Sequence, residues 1–277
     1  MRVIDTHVHV WELDLVDYGW LTPAQGALYR DITVDEAVAV TGAASVDRLV
    51  LVQAADSLIE TRRLVEIARA TDAVVGVVGW LPIASPADVE RLLEGEFAGA
   101  LGGVRTLVHQ APDPDLLTSS PVVATVRLLG RRGLPFEIPD AFPRLAVSAE
   151  RLVGQCPDTV IVIDHLGKPG THRAREAWAE WMHRMARHPG TVAKLSGLAS
   201  STRCWTASEV RPLVDVALDA FGPDRLMFGA DWPLLATAPD YRSVLDVTLE
   251  TLDGLSDDER SRILHRTAER VYGLPTD

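Results

Sequence analysis

Eight short apolar runs recur along this 277-residue chain, at residues 2–8, 48–53, 74–80, 102–108, 134–138, 159–164, 191–196 and 225–230, and helix-like stretches fill the intervals. Most runs are rich in Val, Ile and Leu, the composition of parallel strands covered on both faces. Helix-start chemistry appears between them. Ser57-x-x-Glu60 and Ser256-x-x-Glu259 read as capping boxes, Ser85-Pro86 as an N-cap with proline at the first helical position, and Gly273 as a helix stop. Eight strands, each followed by a helix, predict the α/β class and a single (β/α)8 TIM barrel over residues 1–277. An open doubly wound sheet would carry a glycine-rich phosphate loop after its first strand. That position holds His7-Val8-His9 instead.

The same runs end in polar groups, and in such barrels the C-terminal strand ends build the active site. Strand one offers His7 and His9, two apart and so on one side, with Asp5 expected on that side too. Strand four offers Arg105, with His109 just beyond; strand five offers Glu137; strand six His165, then Lys168. Strand seven offers Lys194 and Ser196, and strand eight Asp231. Two neighbouring imidazoles in a core are costly unless something binds them, and a metal ion or a hydrolytic water fits. His172, His183, His188 and His265 lie on helices or loops and read as ordinary surface or core residues. The irregular segment 10–31, with Trp11, Tyr18, Trp20 and Tyr29, follows strand one and is expected to wall the mouth or to pack as a surface loop.

Composition narrows the partners. The formal net charge of −12 makes a nucleic-acid or anionic-membrane partner unfavourable. Cys156 and Cys204 form no CxxC pair and no disulfide framework. The apolar runs are about five residues long, far short of the roughly 20 that span a bilayer. The start is polar by Asp5, so no leader is expected, and the location expected is cytoplasmic. No Gly-x-Ser-x-Gly elbow is present, which argues against a serine esterase.

Taken together, Val3-Ile-Asp-Thr-His-Val-His9, Asp164-His-Leu-Gly-Lys-Pro169, Lys194-Leu-Ser-Gly197 and Arg225-Leu-Met-Phe-Gly-Ala-Asp-Trp-Pro233 resemble the amidohydrolase superfamily. They are most similar to its lactonase branch, which includes L-fuconolactonase, L-rhamnonolactonase and 2-pyrone-4,6-dicarboxylate lactonase. Val52-Gln53, Glu60-Thr61, Val78-Gly79-Trp80, Gly103-Val-Arg105 and Phe221-Gly-Pro-Asp-Arg225 fit the same pattern along the whole chain. Three positions depart from it. Ala230 replaces a serine before Asp231, Thr106 follows Arg105 where a histidine is common, and strand five carries Glu137 in place of a histidine or carboxylated lysine. A full two-metal set is therefore absent, which leaves no ion or one.

The resemblance implies hydrolysis of a small sugar or aldono-lactone to its hydroxy acid. Asp231 would be the base toward water, with His7, His9 and His165 completing the catalytic group. Those three histidines, with Glu137 and Asp231, would bind one divalent ion, Zn2+ foremost; alternatively the imidazoles polarise the carbonyl directly, without metal. Arg105 and Lys168 would hold substrate oxygens, and Trp11, Trp20, Trp80 or Trp205 would supply apolar faces for a ring, with core packing the competing role for each. A homo-oligomer stays open. Two other readings stay open: a metal-dependent decarboxylase of an aromatic or muconate-type acid, which Glu137 disfavours, and a ligand-binding barrel without turnover.

Overall fold

The computed structural model describes residues 2–108, 111–170 and 174–276. Eight parallel strands run in sequence order around one sheet: β1 Ile4–Val8, β2 Arg48–Val52, β3 Val74–Gly79, β4 Gly103–Arg105, β5 Phe136–Ile138, β6 Ile161–Ile163, β7 Thr191–Leu195 and β8 Leu226–Phe228. Helices α1 Val34–Ala43, α2 Leu58–Ala70, α3 Pro86–Glu94, α4 Ser120–Arg131, α5 Ala146–Gln155, α6 Arg175–Ala186, α7 Ala207–Phe221 and α8 Tyr241–Thr251 alternate with them, followed by α9 Asp257–Ser261 and α10 Thr267–Tyr272. This is the expected (β/α)8 barrel. The ring closes between β8 and β1 just past the regular ladder: His9 N–H donates to Trp232 O (2.8 Å), and Asp231 N–H donates to His7 O (2.9 Å). The closure thus draws three polar residues singled out in the sequence to one seam.

Both faces of the strands are apolar, for two reasons. Outward side chains such as Leu49, Val77, Phe136, Ile161 and Phe228 pack beneath the helices. Inward ones, Ile4, Val50, Val52, Val78, Val162, Val192 and Met227, fill the barrel and meet Ala268, Val271, Tyr272 and Leu274 from the C-terminal segment. The helix starts follow local chemistry. Ser256 and Glu259 form the reciprocal capping box. Ser57 Oγ accepts from the N–H groups of Ile59 and Glu60, but the Glu60 carboxylate turns away to accept from Ala54 and Ala55 N–H. Ser85 stands at the N-cap without a side-chain cap bond. Gly273, at φ +63°, closes α10.

Two departures from the expected strands matter for the site. Ile4 pairs with Arg48 and Asp5 with Leu49, but Val8 pairs with Leu51, so β1 holds one residue more than its partner. Such a bulge reverses the alternation of sides. Ile4 points inward, and so do His7 and His9, whereas Asp5 turns outward and accepts from Tyr241 Oη on α8 (2.9 Å). The expectation that Asp5 shares the side of the histidines is therefore wrong. The ladders of β4, β6 and β8 also end earlier than the apolar runs do. Beyond them the chain enters left-handed conformations at His165 (φ +55°), Leu166 (+51°), Lys168 (+61°) and Asp231 (+64°). These cost about 1–3 kcal/mol each in non-glycine residues and cluster at functional sites.

Candidate active site

A cavity of about 630 Å³ opens at the C-terminal ends of the strands, and His9, Arg105, His165, Lys168 and Asp231 are among its walls. His7 lies fully buried under its floor. The Asp231 carboxylate sits where three imidazoles converge: its Oδ1 is 3.4 Å from His9 Nε2, 3.7 Å from His7 Nε2 and 3.9 Å from His165 Nε2. This oxygen is buried and accepts no hydrogen bond from any described residue.

The outer nitrogens of two imidazoles are committed elsewhere. His9 Nδ1 lies 2.8 Å from Val52 O. A carbonyl only accepts, so Nδ1 carries the proton and Nε2 presents a bare lone pair. His165 Nδ1 lies 2.9 Å from Ser196 Oγ, which leaves its Nε2 likewise free to face Asp231. His7 Nδ1 is 3.6 Å from Asp164 Oδ1 and 3.2 Å from Lys194 Nζ, and Arg105 Nη1 is 3.2 Å from its Nε2. Burial, with Lys194 beside it, holds His7 well below the usual histidine range. Burial and the neighbouring Arg105 push His9 down to about 3. Burial raises Asp231 to about 6, against the pull of His165 and Arg105. Burial thus keeps His7 and His9 neutral beside a carboxyl group that changes charge near pH 6.

Room for this arrangement comes from glycine. Gly197 has φ +59°, and a Cβ there would stand 2.6 Å from His165 Nδ1 and 2.9 Å from Asp231 Oδ2. A Cβ at Gly229 would stand 2.9 Å from His7 Cβ. The glycines of the strand-seven and strand-eight motifs are therefore required by the close approach of the site side chains.

Below the mouth lies a layer of buried charge. Arg105 donates from Nη1 to Asp164 Oδ2 (3.1 Å) and from Nη2 to Gln53 O (2.5 Å). Lys194 Nζ donates to Glu137 Oε2 (2.7 Å) and stands 3.2 Å from Asp164 Oδ1. Tyr272 Oη donates to Glu137 Oε1 (2.5 Å). Burial works to raise Asp164, but Lys194, His7 and Arg105 together hold it well below the usual carboxylate range.

The structure gathers His7, His9, His165, Asp231 and Arg105 as expected and sorts the other candidates. Glu137 lies near His7 and Asp164 rather than in the mouth set, because its short side chain leaves a mid-strand position while the long Arg105 beside it in register reaches the cavity. Lys168 lines the rim, paired with Asp140 Oδ2 at 2.7 Å. Trp20 lines the cavity, and its Nε1 donates to Ala54 O. Trp11 does not reach the cavity: it is buried behind Trp20, with ring centroids 5.5 Å apart, and donates to Arg30 O. Trp205 is likewise outside the wall, tied to Ser243 O, and Trp80 is not among the lining residues. Segment 10–31 walls the mouth through Trp20 and Leu28 while Tyr18 and Leu21 pack inside. His109 and His172 fall outside the described residues.

Asp164 and Asp140 were not singled out in the sequence. Asp164 shares the inward parity of Val162, a signal that period two carries. Asp164 and His165 both enter the site because the left-handed turn at His165 cancels the alternation that would separate adjacent residues.

Known proteins resemble this chain along nearly its whole length. The family profile described as Amidohydrolase matches residues 4–274. A protein of Burkholderia multivorans named L-fucono-1,5-lactonase is 31% identical over 285 residues, covering 98% of this chain and 96% of that one. A crystal structure of an amidohydrolase from Burkholderia multivorans with bound Zn superposes with a TM-score of 0.91 at 29% identity, over 99% of this chain and 100% of that one. A probable 2-pyrone-4,6-dicarboxylic acid hydrolase from Acinetobacter baumannii shares the fold, with a TM-score of 0.80 at 16% identity over 99% of this chain and 100% of the other. By profile and by sequence, the chain belongs to the amidohydrolase family.

Proposed function

We propose that this chain is a carboxylic-ester hydrolase that opens a small, uncharged sugar lactone to its hydroxy acid, with Asp231 as the proton-transferring group. The observation that carries the proposal is the buried Asp231 Oδ1, without a hydrogen-bond donor among the described residues, facing three imidazole Nε2 atoms at the cavity floor. The relative named L-fucono-1,5-lactonase supports the reaction class.

The donor set fits one divalent ion. Bare lone pairs cannot donate to a carbonyl oxygen, so the His9 tautomer argues against direct polarisation by that imidazole and for a cation. His7, His9, His165 and Asp231 would hold it, and the backbone carbonyl at His9 and the hydroxyl at His165 fix the ring orientations, as outer partners of metal-bound histidines do. A bound Zn2+ would supply carbonyl polarisation and a more acidic water.

The chain's own residues do the rest. Asp231 accepts a proton from water as the water oxygen bonds to the lactone carbonyl carbon. It returns that proton to the ring oxygen as the carbon–oxygen bond breaks. The product acid then ionises, so one proton leaves per turnover. Arg105 and Lys168 each have a carboxylate partner, Asp164 and Asp140. The cavity's cations are thus matched, which favours a polyhydroxy lactone over a dicarboxylate. Trp20 and Leu28 add apolar wall.

The test is a panel of aldonolactones and 2-pyrone-4,6-dicarboxylate, followed by a pH indicator before and after dialysis against chelator. Turnover of a neutral aldonolactone, lost on dialysis and restored by Zn2+, is the expected result. Hydrolysis of no lactone on the panel contradicts the proposal.

A further inference from the structure

Lys194 is fully buried and is absent from the cavity wall, so it does not reach a substrate. It sits in a cradle of three ligand-type groups. Its Nζ is 2.7 Å from Glu137 Oε2, 3.2 Å from Asp164 Oδ1 and 3.2 Å from His7 Nδ1. Among the described residues, His7, Glu137 and Asp164 form one of two groups whose ligand atoms lie within 4.8 Å of one another. Asp164 Oδ1 is buried and accepts no hydrogen bond from any described residue, although it faces the ammonium. Tyr272 Oη, from the C-terminal helix, holds the other Glu137 oxygen and leaves Oε2 aimed into the cradle.

An ammonium with one nitrogen and two carboxylate oxygens around it occupies the position that a small divalent cation would take. One imidazole and two carboxylates are an ordinary ligand set for Zn2+ or Mn2+. We propose that His7, Glu137 and Asp164 form a second, latent divalent-ion site, and that Lys194 Nζ fills it as a built-in cation. Without Lys194 the buried Glu137 would have no charge partner among the described residues and Asp164 would keep only Arg105. A side-chain cation fixed by the fold supplies that charge at any metal concentration.

Because His7 faces both places, the test removes the mouth set first. In a His165→Asn/Asp231→Asn background, Zn2+ retained after dialysis is measured by atomic absorption with Lys194 present, with Lys194→Met, and with Lys194→Met combined with Glu137→Gln. The expected series is essentially none, about one ion per chain, and essentially none again. Zn2+ should also raise the thermal midpoint of the Lys194→Met chain in a Glu137-dependent way. If that chain is unfolded in chelator, it should fold when Zn2+ is added; a chain unfolded in both conditions overturns the inference. So does Lys194→Met retaining no more Zn2+ than its parent, or Glu137→Gln leaving retention unchanged. None of these measurements reads lactone turnover, so the outcome stands apart from the proposed activity.

Discussion

At the scale of single residues, the site works by withholding hydrogen bonds. Buried carboxylates are ordinarily satisfied, yet Asp231 Oδ1 accepts no hydrogen bond from any described residue and faces imidazole nitrogens, one of them fixed as a bare acceptor by Val52 O. Its environment raises the carboxyl to about 6, chiefly by burial, so the metal-free protein should bind Zn2+ progressively more weakly as pH falls through about 6 and Asp231 takes up a proton. A Zn2+ titration at pH 7.5 and about 5 checks this; equal affinity at both would remove Asp231 from the ligand set. Gly197→Ala should be more damaging than an added methyl group usually is. It places a Cβ at a left-handed φ and within 2.6 Å of His165 Nδ1, so a stability loss of about 1–3 kcal/mol is expected in denaturant unfolding, together with loss of turnover. Trp20→Ala should raise KM because Trp20 lines the cavity, whereas Trp205→Phe should leave KM unchanged.

At the scale of elements, what was legible in the sequence is what periodicity and strand-end position determine. The eight runs located the strands, and the mouth residues His7, His9, Arg105, His165 and Asp231 followed from their places at strand ends. What was not legible depends on breaks in regular geometry. The bulge in β1 reversed the side of Asp5, and the left-handed turn at His165 brought that residue in beside Asp164. Neither leaves a periodic trace. Tyr272 reaches Glu137 from 135 residues away, and no local pattern reports that contact. Asp5 itself became a clamp: it accepts from His7 N–H, Ala230 N–H and Tyr241 Oη, tying β1 to the segment after β8 and to α8. Burial raises its carboxyl from 3.8 to about 6. A raised acid contributes stability that is complete below about pH 4 and lost as pH rises through about 6. Between pH 4 and 8 the wild-type chain should therefore lose up to about 3 kcal/mol more stability than Asp5→Asn, measured by urea unfolding. An identical pH dependence in both would contradict the assignment.

At the scale of the whole molecule, the barrel separates two kinds of interior. An apolar plug of strand side chains and the C-terminal segment seals one end, and a layer of paired charges, Arg105, Glu137, Asp164 and Lys194, lies between that plug and the mouth. Barrel closure delivers Asp231 to the histidines, because the closing hydrogen bonds run from His9 and Asp231 themselves. Lactone opening at this seam is proposed to run through Asp231. The direct measurement is the rate of proton release from L-fucono-1,5-lactone and related aldonolactones by the Zn2+-loaded wild-type chain and by Asp231→Asn, with both folds verified by thermal unfolding. Turnover by the wild type is expected, with a fall of roughly 10²–10⁴-fold in kcat for the folded variant. A folded Asp231→Asn chain that hydrolyses the lactone at the wild-type rate would contradict it.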